Sequence, residues 1–391
     1  MDPRQNPYAP GAGTKPPELA GRDQIIERAS ISLDRIRQGR AARSMILYGL
    51  RGVGKTVLLT EIKLGAMERG IIPVNIEAPE DRSLPSTLIP ALRSALLRLS
   101  RKEAVKAKLS AALRALGSFA KVFKVKYSDV EFAVEMADEA GVADSGDLEG
   151  DLADLLIAVG EAAKEADTAV VMFIDELQYI PEEQLAALIS ALHRTSQSQL
   201  PVTLMAAGLP QLIGQMGRAK SYAERLFEFV PVDKLDHSAA KDALCKPAER
   251  EGVSFTPEAV AEIINQTQGY PYFLQEWGKH VWDIAETSPI DEQVSKAATD
   301  SALAELDQSF FRVRLDRLTP QEKQYLRAMA ELGPGPHRSG DIAEKMHKPV
   351  SSVAPVRNQL IAKGMIFSPS HGDTAFTVPL FDGYMRRTLP F

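Results

Sequence analysis

The chain has 391 residues, 45% of them hydrophobic and 25% charged, with a formal net charge of −6. That length suffices for two or three domains with sizeable cores, and the acidic balance excludes a surface that is a nucleic-acid footprint throughout. Cys245 is the single cysteine, which excludes an internal disulfide and most cysteine metal sites; no apolar run reaches bilayer length, so the expected location is cytoplasmic, away from membranes.

Residues 1–17 carry several prolines and glycines with almost no apolar periodicity, which predicts a flexible N-terminal arm. A helix to about Gly39 follows, with Ile25, Ile26, Ala29, Ile31, Leu33 and Ile36 on its apolar face. The apolar run 45–48 then leads straight into Gly49-Leu50-Arg51-Gly52-Val53-Gly54-Lys55-Thr56, and apolar Val57-Leu58-Leu59 comes next. Strand, glycine-rich loop and helix in that order make a phosphate cradle. Gly49, Gly52, Val53 and Gly54 turn backbone N–H groups inward, Lys55 supplies positive charge, Thr56 offers a hydroxyl to Mg²⁺, and Val57 completes the nucleotide-contacting stretch. The helix N-terminus adds a dipole that favours anions. ATP, or another nucleoside triphosphate, with Mg²⁺ is the expected ligand.

Residues 71–76 read as a second strand, and two helical segments lie between 84 and 116. An insertion, 101–146, includes an expected β-hairpin at 121–136 with lysines on one arm and glutamates on the other. After a helix at 147–166, the run 169–174 predicts a strand buried on both faces, ending in Asp175-Glu176. Asp175 is placed to assist the metal and Glu176 to orient and deprotonate the attacking water. Pro181-Glu182-Glu183 opens another helix, and strands four and five fall at 200–207 and 227–232. Such alternation implies an α/β domain: a parallel five-stranded sheet with helices on both faces. From residue 238 the strands give way to helices at 238–251, 257–266 and 271–285.

This order of motifs resembles the AAA+ ATPases, and within them the STAND-type and archaeal-type ATPases related to origin-recognition initiators. The resemblance implies that Arg22, in Gly21-Arg22-Asp23, lies near the adenine. It likewise implies that Arg225, in Arg225-Leu226-Phe227, is an arginine finger acting in cis or in trans, and that Pro271, in Gly269-Tyr270-Pro271, borders the nucleotide from a helical lid. Two departures stand out: Ala206-Ala207-Gly208 ends the fourth strand without a polar group, and Tyr272-Phe273 stand where a lid arginine is common. Slow hydrolysis, a switch rather than a fast motor, is the expectation.

Thr319-Pro320-Gln321-Glu322 is a capping box that starts a helix ending at Gly333. Helices at 339–346 and 351–363 and a hairpin pairing 365–367 with 374–378 complete the pattern of a winged helix-turn-helix domain. From Arg317 onward ten Lys or Arg face six Asp or Glu, a surplus of +4 that leaves −10 on the remainder. That segregation suits double-stranded DNA contacted through residues 351–363, with Ser351, Ser352, Arg357, Asn358 and Lys363 outward and Val356, Leu360 and Ile361 inward. The expected partition is an arm (1–17), a P-loop ATPase domain (18–235), a helical lid (236–310) and a winged helix (311–391). The function expected is an ATP-dependent conformational switch that self-associates. Its alternatives are a nucleotide-gated DNA-binding regulator or defence-type sensor with negligible turnover, and an oligomeric DNA loader or motor.

Overall fold

The computed structural model describes residues 1–78, 83–99, 106–125, 142–370 and 372–390. The five apolar runs become β1 (Ser44–Tyr48), β2 (Ile72–Glu77), β3 (Val170–Asp175), β4 (Val202–Gly208) and β5 (Phe227–Pro231), all parallel, in the order β2-β3-β4-β1-β5. Strand alternation sends Met45 and Leu47 to one face of the sheet and Ile46 to the other. Helices α1 (Asp23–Arg37) and α2 (Lys55–Glu68) cover the first face; α3 (Leu84–Leu99), α4 (Lys106–Val122), α5 (Leu148–Glu165) and α6 (Glu182–Gln197) cover the second. Short helices α7 (Leu212–Ala219) and α8 (Ala223–Leu226) lead into β5. Pairing β1 between β4 and β5 brings the loops after β1, β3 and β4 to one edge, where a parallel sheet receives ligands.

Two expectations change at the residue level. Ile31 is 52% exposed, because the stripe of α1 that meets the core runs through Ala29, Leu33 and Ile36 and position 31 points away from it. Of the hairpin expected at 121–136, Lys121 and Val122 instead close α4, and residues 126–136 lie outside the described residues.

The helical segment expected as a lid is made of α9 (His237–Arg250), α10 (Pro257–Thr267), α11 (Pro271–Ile284) and α12 (Glu292–Leu306). The Thr256 hydroxyl caps α10 by accepting from the Ala259 N–H at 3.2 Å. Helix α12 runs on through a π-helical stretch, Asp307–Phe311, into α13 (Arg312–Asp316). Beyond it come α14 (Pro320–Glu331), β6 (His337–Arg338), α15 (Ser339–Lys345), α16 (Val350–Ala362), β7 (Ile366–Phe367), β8 (Asp373–Phe376) and α17 (Phe381–Thr388), with strand order β6-β8-β7. The capping box forms: Thr319 N–H donates to Glu322 Oε2 at 2.7 Å, and the Glu322 N–H to Thr319 Oγ1 at 3.4 Å.

The C-terminal part is not an appendage. Phe311 packs on Phe381 and Tyr384 with ring centroids 5.8 and 5.2 Å apart, so one core runs from the sheet through the lid to α17. It also rests on the phosphate loop, where the Arg51 N–H donates to Thr377 O at 2.9 Å. A Cβ at Gly364 would lie 3.1 Å from Leu209 and 3.2 Å from the Arg51 guanidinium, so the two parts touch closely there.

The N-terminal arm, expected to be flexible, is packed. Tyr8 is 4% exposed, its hydroxyl donates to Leu244 O, and a Cβ at Gly278 would come within 2.5 Å of its ring. Trp282 Nε1 donates to Asp2 O at 3.0 Å and Asn6 Nδ2 to Lys279 O at 3.0 Å. Single anchors of this kind hold a segment without any hydrophobic period. No helix of the described residues is long and apolar enough to cross a membrane.

Candidate nucleotide-binding site

The loop between β1 and α2 takes a shape that glycine permits. Gly52 and Gly54 have φ of +80° and +90°, and a Cβ on Gly49 would sit 2.0 Å from Val232 O. Above the loop lies a cavity of about 310 Å³ lined by Gly52 to Val57, by Glu176, by Pro271 and Tyr272 of the lid and by Arg314. The arm supplies a further wall, residues 9–14, so the segment expected to hang free borders the cavity. Lid and loop join directly, since the Tyr272 N–H donates to Gly52 O at 3.1 Å.

Lys55 is 8% exposed, and its Nζ donates to Gly49 O at 3.0 Å and Leu50 O at 2.8 Å. Burial pulls its pKa down to about 8, against the opposing pull of Glu176 and Asp175. Thr56 Oγ1 donates to Asp175 Oδ2 at 2.6 Å, which brings a hydroxyl and a carboxylate of the expected magnesium pair together. Burial raises the Asp175 pKa, while the Thr56 hydroxyl and the Glu176 N–H oppose the shift. Two hard oxygen donors beside a buried ammonium, under a loop that Gly52 and Gly54 hold at positive φ, fit a magnesium triphosphate.

Glu176 stands at the start of a short 3₁₀ turn, Leu177–Tyr179, with left-handed backbone (φ 51°, ψ 39°). Its side chain accepts from Gln178 Nε2 and lies 3.7 Å from Arg51 Nη1, while Arg51 Nη2 donates to Tyr179 OH at 2.8 Å. Gln178 is 6% exposed, and its Oε1 accepts from the Leu209 N–H at 3.0 Å, just beyond β4. Gln178 thus brings a polar side chain against the end of β4, where Ala206-Ala207-Gly208 has none. A Cβ on Gly208 would stand 2.8 Å from Gln178 Oε1, so the small strand end is what admits it.

Arg314 was not among the residues singled out by sequence. Its guanidinium lies 3.8 Å from the Phe310 ring centroid and donates to Phe310 O, and no carboxylate of the described residues pairs with it. Burial, then the nearby Arg51 charge, lowers its pKa to about 10. Desolvated cations gathered around one cavity are the electrostatic complement of a polyanion. The available signal was weak: Arg312-Val313-Arg314 reads as a solvated helix face.

The remaining predicted residues divide. Arg22 is buried and donates to Val53 O at 3.1 Å and to Asp233 O, so it pins the phosphate loop to the segment after β5. Pro271, first residue of α11, lines the cavity. Arg225 sits exposed in α8 and does not line it. On α16, Ser351, Ser352 and Asn358 are exposed, but Arg357 donates to Thr374, Ser368 and Asp373, and Lys363 to Glu322 and Arg317. Asn358 and Lys363 border a groove of about 1180 Å³ that faces Tyr179, Glu182 and Arg218.

Comparison with known proteins follows the same lines. Residues 18–205 match the AAA ATPase domain, and residues 308–385 match a domain of unknown function (DUF8462). The α/β part of the chain is an AAA+ P-loop ATPase domain. An uncharacterised HTH-type transcriptional regulator of Methanocaldococcus jannaschii is 27% identical over 225 residues, 54% of this chain and 53% of that protein. The chain thus spans about half the length of the curated relative it matches. Its fold is similar to that of the Walker-type ATPase PABY2304 of Pyrococcus abyssi, with a TM-score of 0.60 at 16% identity, covering 95% of this chain and 97% of that one. The Aeropyrum pernix Orc1 protein, solved in complex with DNA, gives a TM-score of 0.49 at 16% identity, with coverage of 95% and 94%.

Proposed function

We propose that the chain binds ATP with Mg²⁺, hydrolyses it slowly, and uses the bound nucleotide to set how its C-terminal part is seated. The observation that carries this reading is Arg51. Lying inside the phosphate loop, it donates its N–H to Thr377 of the C-terminal part while its guanidinium reaches Tyr179 and Glu176. One residue thereby touches the ligand cradle, the base and the segment to be moved.

In this reading Lys55 and the loop N–H groups grip the outer phosphates, and Arg314 meets them from the lid side. Thr56 and Asp175 would hold Mg²⁺, which neutralises phosphate charge when bound. Glu176 orients and deprotonates the water, and Gln178 fixes where its carboxylate points. Release of Glu176 from Gln178 and Arg51 precedes proton uptake, which suits slow turnover. Arg225, exposed on α8, reaches a phosphate only in a neighbouring copy, so self-association accompanies its use as a finger. The nucleotide shifts the seating by its differential affinity for the two arrangements.

Phosphate release measured on Glu176→Gln and ATP binding measured on Lys55→Ala test the proposal. Loss of turnover in the first and of binding in the second are expected; unchanged phosphate release in Glu176→Gln would leave only a nucleotide-gated binding protein.

A DNA-binding regulator is the second reading, favoured by the relative's designation as an HTH-type transcriptional regulator and by the +4 surplus from Arg317 onward. The helices and strands from α14 to β8 follow the order of a winged helix, with α16 as the reading helix. Because α16 borders the groove against the ATPase domain, contact with a duplex requires the C-terminal part to leave its seat. Full-length protein with ATP should then bind duplex DNA with affinity that falls steeply with salt. Absence of binding at low salt removes this reading.

A further inference from the structure

Away from the nucleotide, the lid holds a second group of donors. Glu276 and His280 stand one turn apart on α11 and face Glu305 of α12, and one ligand atom from each lies within 4.8 Å of the others. Glu276 is 6% exposed and His280 8%, yet Glu276 Oε2 and His280 Nε2 have no hydrogen-bond partner. His280 Nε2 is 3.0 Å from Glu305 Oε2, an electrostatic contact whose angle is not that of a well-formed hydrogen bond. Two buried polar atoms turned toward the same carboxylate carry a desolvation cost that the contact between His280 and Glu305 offsets only in part.

The partners behind these atoms are already in place. Tyr272 OH donates to Glu276 Oε1 at 2.8 Å, leaving Oε2 as the inward oxygen. Ser301 Oγ lies 3.0 Å from His280 Nδ1, so in the tautomer protonated at Nδ1 the Ser301 oxygen accepts that proton and Nε2 presents its lone pair. Lys279 Nζ contacts Glu305 at 3.0 Å through Oε1 and 3.2 Å through Oε2, a pairing that a metal-ligating carboxylate keeps through its outer oxygen. The Glu305 side chain is 46% exposed and forms the entry path.

We propose that Glu276, His280 and Glu305 form a binding site for a divalent transition-metal ion of the zinc type. Imidazole nitrogen with two carboxylate oxygens selects such an ion over magnesium, and three protein ligands leave a position for water. The ion would cross-link α11 to α12 and, through Glu276, fix Tyr272. That residue stacks on Phe310 with centroids 4.8 Å apart and donates its N–H to the phosphate loop. The site would therefore stiffen the lid wall of the nucleotide cavity without touching the nucleotide.

The test uses the full chain, stripped with a chelator and titrated with zinc chloride against a zinc-reporting dye, with no nucleotide present. One equivalent should bind tightly, with a melting temperature higher in zinc than in chelator. Glu305→Gln, at a half-exposed position that leaves the core intact, should weaken binding by at least about tenfold. Ser301→Ala, which touches no ligand atom of the ion, should weaken it by about tenfold through loss of ring orientation. His280→Gln should abolish it. No stoichiometric binding by the parent chain, or equal binding by the parent and Glu305→Gln, overturns the proposal whatever the protein does with ATP.

Discussion

Lys55 gives the sharpest quantitative expectation. Burial brings its pKa to about 8 in the free protein, and a phosphate held against it favours the ammonium and raises that value. The bound state therefore holds more proton, so affinity is fully expressed below the free-protein pKa and is lost as pH rises through it. Between pH 7.5 and pH 9 the protonated fraction falls from about three-quarters to about a tenth, so Kd for ATP rises roughly eightfold, about 1.2 kcal/mol. Above pH 7.5 the triphosphate is itself fully ionised, so its own titration does not enter. Calorimetric titration with MgATP at constant ionic strength reads the effect, with adenosine as the comparison because it carries no phosphate for Lys55. A Kd for MgATP that changes by less than about twofold over this range would show that Lys55 is not a desolvated phosphate contact and would refute the reasoning.

Other expectations are briefer. Gly278→Val places side-chain atoms in the Tyr8 ring, so the arm should unseat: trypsin should cut after Arg4 faster than in the parent, with weaker ATP binding, and equal cleavage would count against arm docking. Gln178→Ala frees the Glu176 carboxylate and opens the end of β4; single-turnover rates should fall about tenfold or more while Kd for ATP changes little, a split that marks positioning rather than binding. Arg314→Ala removes the lid-side cation and should raise Kd for ATP about tenfold while leaving adenosine binding unchanged; equal losses for both ligands would mean a packing role. Gly49→Ala drives a Cβ into Val232 O and should abolish nucleotide binding, which equilibrium dialysis would show.

The parts of this molecule legible in sequence are those that repeat a period or carry a dense motif. Largely apolar runs marked the five strands, interrupted by Pro73 and Asn75 in the second and by Glu228 and Pro231 in the fifth, and the dense motif from Gly49 to Thr56 marked the cradle. Helix α12 was harder, because alanines and polar residues leave its apolar stripe thin around Ala298, Ala302 and Leu306. The docked arm escaped notice since Tyr8 is a single anchor whose partner, Gly278, is recognisable only as an absent side chain. Gln178 and Arg314 were missed for another reason. No motif marks either one, and only the folded arrangement shows that Gln178 fills the room left by Gly208 and that Arg314 lines the cavity above the phosphate loop. Arg357 and Lys363 err in the opposite direction: their helical spacing points outward, yet long side chains curl back to Thr374 and Glu322.

Glu176 occupies a left-handed backbone seat, which most residues with a Cβ tolerate poorly and glycine tolerates well. Replacing it with glycine would relax the main chain and silence the acid in one step. With Glu176 as the base proposed above, ruggedness and turnover pull against each other at this residue, and a lineage that kept the nucleotide merely as mortar would gain by surrendering the carboxylate.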